Sequence, residues 1–305
     1  MRRLLTAFLL LFAALPAFAQ SIQYERPVQT APQEQTIGGG YKTPAVQKPL
    51  PRNWWLEVAD VFLLAGAMGV SVWIVIKRRN RRWLTVLTVA SLAYFGFYRE
   101  GCICPVGSIQ NVTVALADPR YSIPIVVIAI FFLPLVYALL FGRAFCGGVC
   151  PLGAMQELVA IRPVQVPPRL DWALGFLKYA YLGIAIWFAL QPAPARDFVI
   201  CRFDPFVGFF RRTGAPHMLF IGGAFLVAGM FVGRPYCRWL CPYGGLLAWC
   251  SRLAWRGVSI TPDKELDCGL CTHACPYGAI EKMRAVGRNC LYCARCYPYC
   301  PRSKA

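Results

Sequence analysis

The chain has 305 residues, 57% of them hydrophobic and 15% charged, with mean hydropathy +0.48. Soluble domains are less apolar and more highly charged, so one large water-soluble core is excluded and a chain that crosses a membrane repeatedly is expected. The net charge of +18 does not point to nucleic acid, because Lys and Arg sit mostly in short loops beside apolar runs, where the positive-inside rule places them.

Taken in order, Arg2 and Arg3 precede an apolar run from Leu4 to Leu15 and then Ala17-Phe18-Ala19. This reads as a secretory signal peptide over 1–19, the alternative being an uncleaved first membrane helix. Residues 20–52, rich in Gln, Pro and Thr, predict an exported disordered linker. Five apolar spans follow, at roughly 56–76, 83–98, 123–141, 172–190 and 217–233. The basic run from Lys77 to Arg82 belongs in the cytoplasm. Alternation then puts loops 99–122 and 191–216 outside, and 142–171 with everything after 234 inside.

Two segments repeat one pattern. Gly142-Arg143-Ala144-Phe145-Cys146-Gly147-Gly148-Val149-Cys150-Pro151-Leu152-Gly153 and Gly233-Arg234-Pro235-Tyr236-Cys237-Arg238-Trp239-Leu240-Cys241-Pro242-Tyr243-Gly244 both fit G-R-x-x-C-x-x-x-C-P-x-G in the same register. An internal duplication explains them, with repeats at about 83–157 and 172–248 in a membrane domain of 53–255. A spacing of four predicts each cysteine pair on one helical turn, and proline after the second cysteine suits a helix start. Four thiols so gathered would ligate a shared cluster or form two half-sites; the bland alternative is small apolar cysteines packed at helix ends.

The tail, 256–305, carries the most specific signal among the 15 cysteines. Cys290, Cys293, Cys296 and Cys300-Pro301 form the bacterial ferredoxin run C-x2-C-x2-C-x3-C-P, whose fourth cysteine serves a second cluster. Cys268, Cys271 and Cys275-Pro276 match its last three positions. On that exchange, Cys290, Cys293, Cys296 and Cys275 hold one [4Fe–4S] cluster. Cys268, Cys271 and Cys300 hold the other, its fourth place open among Cys250, Glu265, Asp267 or a three-iron site. A zinc module is the alternative, though zinc sites lack the C-x3-C-P ending.

Outside, Cys102, Cys104 and Cys201 join Asp204, which aligns with Cys104 when the prolines of Cys104-Pro105 and Asp204-Pro205 are superposed. They offer a metal or cluster site, a disulfide through Cys201, or unpaired thiols. Arg143, Arg234, Arg238, Arg284, Arg288 and Arg295 lie near the thiols in sequence, either to stabilise anionic clusters or merely on the positive-inside rule. Trp54, Trp55, Trp83, Trp172 and Trp239 read as interface belts. His217 and His273 read as capping or surface residues, the alternative for His217 being a haem ligand, although the chain has no C-x-x-C-H. No catalytic constellation is present; the expected role is an electron carrier or redox accessory subunit.

At the paired C-x-x-x-C-P motifs and the ferredoxin tail, over roughly 56–305, the chain resembles membrane iron–sulfur proteins of the NosR/NirI and NapH type, and its outer loop Gly101-Cys102-Ile103-Cys104-Pro105 looks more like NosR and NirI. In place of the exported flavin-binding domain that those two carry stands the linker 20–52. The resemblance implies a multi-pass protein of the bacterial inner membrane with a cytoplasmic C-terminus. It also implies electron traffic between cytoplasmic donors or a quinone pool and a periplasmic reductase or other redox protein, or the maturation of that reductase. The fold expected is an all-α transmembrane bundle with a small ferredoxin-like α+β domain. The alternative is a metal-handling protein that binds or reduces copper through its exported thiols for a periplasmic metalloenzyme, since soft thiolates select Cu(I).

Overall fold

The computed structural model describes residues 53–101, 104–161, 163–192, 195–211, 216–260, 268–281, 284–285 and 289–300, without the side chains of Cys201, Arg202, Val207 and Arg284. The signal peptide and linker expected over 1–52 lie outside these residues.

The first helix starts where the Asn53 side chain accepts a hydrogen bond from the Trp55 amide at 3.3 Å, capping α1 (Trp54–Trp73). Val61, Leu64, Met68 and Val72 recur at helical spacing and are buried, while Phe62, Leu63, Val70 and Trp73 face outward. A helix apolar on both sides suits lipid on one side and protein on the other. α1 runs into a π-helical turn, Ile74–Arg78, and Arg79 in the left-handed region reverses the chain. Asn80 caps α2 (Arg81–Ser91), which ends in a second π-helical stretch, Leu92–Tyr98.

After α3 (Pro105–Ala117) come α4 (Ile125–Phe141), which runs through Pro134, then α5 (Ala144–Gly148) and α6 (Pro151–Val159). The second half repeats the order with α7 (Pro168–Gly175), α8 (Leu177–Ala189), two short helices α9 (Val199–Phe203) and α10 (Val207–Arg211), and α11 (Pro216–Phe231). A π-helical turn, Tyr236–Leu240, and α12 (Pro242–Cys250) complete it. The structure is mostly helical. Two of its helical stretches, Trp54–Arg78 and Pro168–Ala189, are long and apolar enough to cross a membrane, and Ile125–Phe141 and Pro216–Phe231 are shorter apolar helices.

The repeats interlock. α6 of the first packs on α11 of the second, and α12 of the second packs on α4 of the first and on α8. The linker after α6 lies against the end of α11, where the Val164 amide donates to the Phe231 carbonyl at 2.7 Å.

The tail folds back onto one end of this assembly. It contains α13 (Leu270–Ala274) and an antiparallel pair, β1 (Ile280–Glu281) and β2 (Arg284–Ala285). The Trp255 and Arg256 amides donate to the Leu139 and Leu140 carbonyls at the end of α4, and the Ala285 amide pairs with the Val258 carbonyl. Tyr292 and Tyr297 donate their hydroxyls to the Phe141 and Val75 carbonyls at 2.7 and 2.6 Å. Satisfying otherwise open helix-end carbonyls with buried tyrosines fixes the tail against α1 and α4.

Candidate functional site

Each duplicated motif contains a break that its spacing does not suggest. Cys146 lies in α5, whereas Cys150 is the extended residue that caps α6. Cys237 lies in the π-helical turn, whereas Cys241 caps α12. Contrary to the spacing of four, the two cysteines of each pair therefore do not share one helical turn. Pro151 and Pro242 disfavour the helical conformation for the residue before them, and the second cysteine turns the chain instead of continuing the helix. The Cys241 thiol then accepts from the Gly244 amide at 3.3 Å, as a capping side chain would.

The four thiols come together. All are buried, and the Cys150 thiol feels Cys237, Cys146 and Cys241. Burial first, then these like-charged neighbours, push Cys150 well above the ordinary thiol value. Burial and Cys146 push Cys237 up to about 12, against the opposing pull of Arg234 and Arg143. Four buried thiolates without a cationic partner are strongly disfavoured, so the donor set suits a positively charged metal centre. Donors point at the sulfurs as well. Gln156 Nε2 lies 3.2 Å from Cys237 Sγ, and Arg143 Nη2 lies 3.8 Å from Cys146 Sγ.

The Arg and final Gly common to both copies of the motif are explained by an exchange between copies. A β-carbon on Gly153 would stand 3.2 Å from Arg234 Nη1, and one on Gly244 would stand 3.2 Å from Arg143 Nη2. Each copy's arginine therefore fills a space left by the other copy's final glycine. Arg143 is 3% exposed and Arg234 1%, so neither is merely a loop charge obeying the positive-inside rule.

In the tail, one cavity is lined by Cys275, Cys290, Cys293 and Cys296 together with Tyr277, Leu291 and Tyr292. Left-handed Tyr292 and Ala294 curl the loop so that its thiols face one space. The Tyr292 and Arg295 amides donate to the Cys290 and Cys293 sulfurs. Burial raises these two thiols to about 12 and about 11. Cys271 and Cys300 are also buried and sense each other, while Cys268 is exposed. Glu265 and Asp267 lie outside the described residues, and Cys250 interacts with Tyr243. Among the described residues no three His, Cys, Asp or Glu side chains are close enough to hold a single metal ion.

Cys102 and the Cys201 side chain lie outside the described residues. Cys104 and Asp204 line a second cavity, and Cys150 is on the wall of the same cavity. Cysteines that the sequence assigns to opposite faces, Cys104 and Cys150, thus line one space. Asp204 is 2% exposed and accepts from the Phe206 amide at 2.9 Å. Burial raises its carboxyl to about 6.

Several site residues escape sequence reasoning. Glu157 of α6 accepts from Arg81 Nη2 at 2.9 Å, Arg234 Nε at 2.9 Å and Arg295 Nε at 2.8 Å. Gln165 Nε2 is shared among the Thr272, His273 and Cys275 carbonyls. Trp239, expected in an interface belt, donates its indole N–H to Asp171 at 2.7 Å. Asp171 also pairs with Arg238 Nε at 2.6 Å. Exposed Trp54, Trp55, Trp83 and Trp172 keep the belt reading open.

The family model described as a 4Fe-4S binding domain matches the chain twice, over residues 123–166 and 215–260, once around each motif. The chain resembles iron–sulfur proteins of the NosR/NirI/NapH type. YccM of Escherichia coli (strain K12), named as a candidate electron transport protein, is 27% identical over 81% of this chain and 72% of its own length. Protein NirI of Paracoccus denitrificans is 29% identical over 84% of this chain, and the regulatory protein NosR of Pseudomonas aeruginosa 28% identical over 80%. The chain spans only 40% of NirI and 37% of NosR. No solved structure matches.

Proposed function

We propose that this protein is a multi-pass membrane electron carrier that relays single electrons between a cytoplasmic or quinol donor and a redox enzyme on the far side. The observation that carries the reading is the quartet Cys146, Cys150, Cys237 and Cys241, drawn equally from both repeats and set between the tail thiols and the cavity of Cys104. The fold proposed is a bundle of five spans in a duplicated arrangement, with the 256–305 tail as a ferredoxin-like domain on the cytoplasmic side.

Cys275, Cys290, Cys293 and Cys296 would ligate one [4Fe–4S] cluster; Cys268, Cys271 and Cys300 a second; and the quartet a third. Cys102, Cys104, Cys201 and Asp204 would form an outer metal or cluster site. Such centres, when bound, accept and return one electron at a time. The chain's own contribution is to keep water out, aim amide and guanidinium donors at the sulfurs, and hold the sites close together. Close spacing matters because a membrane core about 30 Å thick exceeds a single tunnelling step. The double match to a 4Fe-4S binding domain and the names NosR, NirI and NapH support this role.

Anaerobically purified protein should contain roughly eight or more irons with matching sulfide, and show [4Fe–4S] signals in electron paramagnetic resonance on reduction. Stoichiometric zinc without iron would overturn the proposal.

A further inference from the structure

Glu157 lies between the tail thiols and the quartet and belongs to neither. Its Oε2 accepts from Arg234 Nε, while the other end of that guanidinium, Nη1, donates to the Cys146 carbonyl and Nη2 to the Gly147 carbonyl. Its Oε1 accepts from Arg81 Nη2, and Arg81 Nη1 reaches the Cys293 carbonyl at 3.2 Å. Arg295, between Cys293 and Cys296, donates to the same Oε1. One carboxylate therefore joins the backbone of a quartet cysteine to the backbone of a tail cysteine. Close packing supports the link: a β-carbon on Gly147 would collide with Tyr292, at 2.6 Å from its Cβ.

We propose that Glu157 is a positioning residue for electron transfer between the tail site and the quartet, holding Arg81, Arg234 and Arg295 so that the two thiol sets stay at a fixed short separation. This rests on the electron-carrier reading. One electron released at the tail site, after its reduction by a low-potential one-electron donor, is taken up at the quartet site. The carboxylate itself gains and loses nothing. Three guanidinium charges against one carboxylate leave the junction positive, which favours anionic centres on both sides. With a neutral amide in its place one of the two acceptor oxygens becomes an NH2 donor and the charge that holds the three arginines together is gone, so they repel, and tunnelling falls steeply with any added distance.

The test uses the full-length, iron-loaded protein with Glu157→Gln, Glu157→Asp and Arg295→Gln. Iron content, the rate of electron arrival at the quartet after rapid mixing with dithionite, and the rate at which proteinase K removes the tail are measured. Glu157→Gln is expected to keep its iron, slow the transfer roughly tenfold and shed the tail faster. Glu157→Asp falls between it and the wild type, and Arg295→Gln moves both rates the same way by less. Should Glu157→Gln fail to fold, Arg295→Gln decides, because it leaves Glu157 paired with Arg81 and Arg234. Iron-loaded variants with unchanged transfer and unchanged proteolysis overturn the proposal alone. A wild type without iron overturns the electron-carrier reading and this proposal with it.

Discussion

Arg234 of the second repeat occupies the space that Gly153 of the first leaves beside Cys146, and its counterpart Arg143 does the same at Gly244. A β-carbon at either glycine would also press on the Cys146 or Cys237 carbonyl, at 2.9 and 3.0 Å. Gly153→Ala and Gly244→Ala should therefore each destabilise the protein by about 1–3 kcal/mol, the usual cost of overpacking. The two losses should be similar. Thermal unfolding in detergent with cluster absorbance as the probe measures them, and a neutral effect at either site would contradict the exchange.

Gln156 gives the quartet an asymmetry. Its amide donates to Cys237 Sγ and to the Leu152 carbonyl and accepts from the Tyr236 amide, whereas the matching position of the second repeat is Leu247. An N–H donor to sulfur stabilises the reduced centre and raises its potential. Gln156→Leu should lower the quartet's midpoint potential by up to about 40 mV, taking about 1 kcal/mol per hydrogen bond and one electron. A redox titration checks this, and an unshifted or raised potential would count against the contact.

Glu157 sets a pH window. Burial alone would raise its carboxyl, but Arg234, Arg295 and Arg81 together hold it below the ordinary value. A carboxyl with its folded pKa depressed contributes stability that is complete above the unfolded value of about 4.3 and is lost as pH falls through the folded one. Tail docking, followed by proteolysis, should therefore be flat between about pH 5 and 8. A transition near pH 6 that Glu157→Gln abolishes would refute the assignment.

Asp60 of α1, 1% exposed, accepts from the Tyr94 hydroxyl at 2.6 Å and pairs with Arg99 Nε at 2.9 Å. Arg99 leads into Glu100 and Gly101, both left-handed, just before the outer cysteine loop. Asp60→Ala strands a largely buried guanidinium and should cost about 3–5 kcal/mol. Asp60→Ala with Arg99→Ala should recover part of that loss in the same unfolding assay. A double variant as damaged as the sum of the singles would deny the coupling.

The sequence made the helical runs legible because apolar stretches of span length leave little alternative, and α1, α2, α4, α8 and α11 fall where those runs lie. The motif register was legible for the same reason that duplication is: identical residues recur at identical offsets. Cys275, Cys290, Cys293 and Cys296, which a spacing rule groups in the sequence, line one cavity in the folded tail. What stayed hidden depends on partners distant in sequence. Glu157 reads as an ordinary helix glutamate until Arg81, Arg234 and Arg295 are placed around it. The break after Cys146 and Cys237 was in principle visible in Pro151 and Pro242, since a residue before proline resists the helical conformation. The meeting of Cys104 with Cys150 at one cavity was not visible, because span counting assigns loops to faces and says nothing of which residues share a space.

The central claim is that both repeats supply ligands to one iron–sulfur centre. The most direct measurement is the iron content, with Mössbauer spectra, of anaerobically purified full-length protein carrying Cys146→Ser or Cys237→Ser, one from each repeat. The account predicts that either substitution removes the same spectral component, about four irons, and leaves the tail signals in place. Full iron retention in both variants, or the loss of different components, would contradict it.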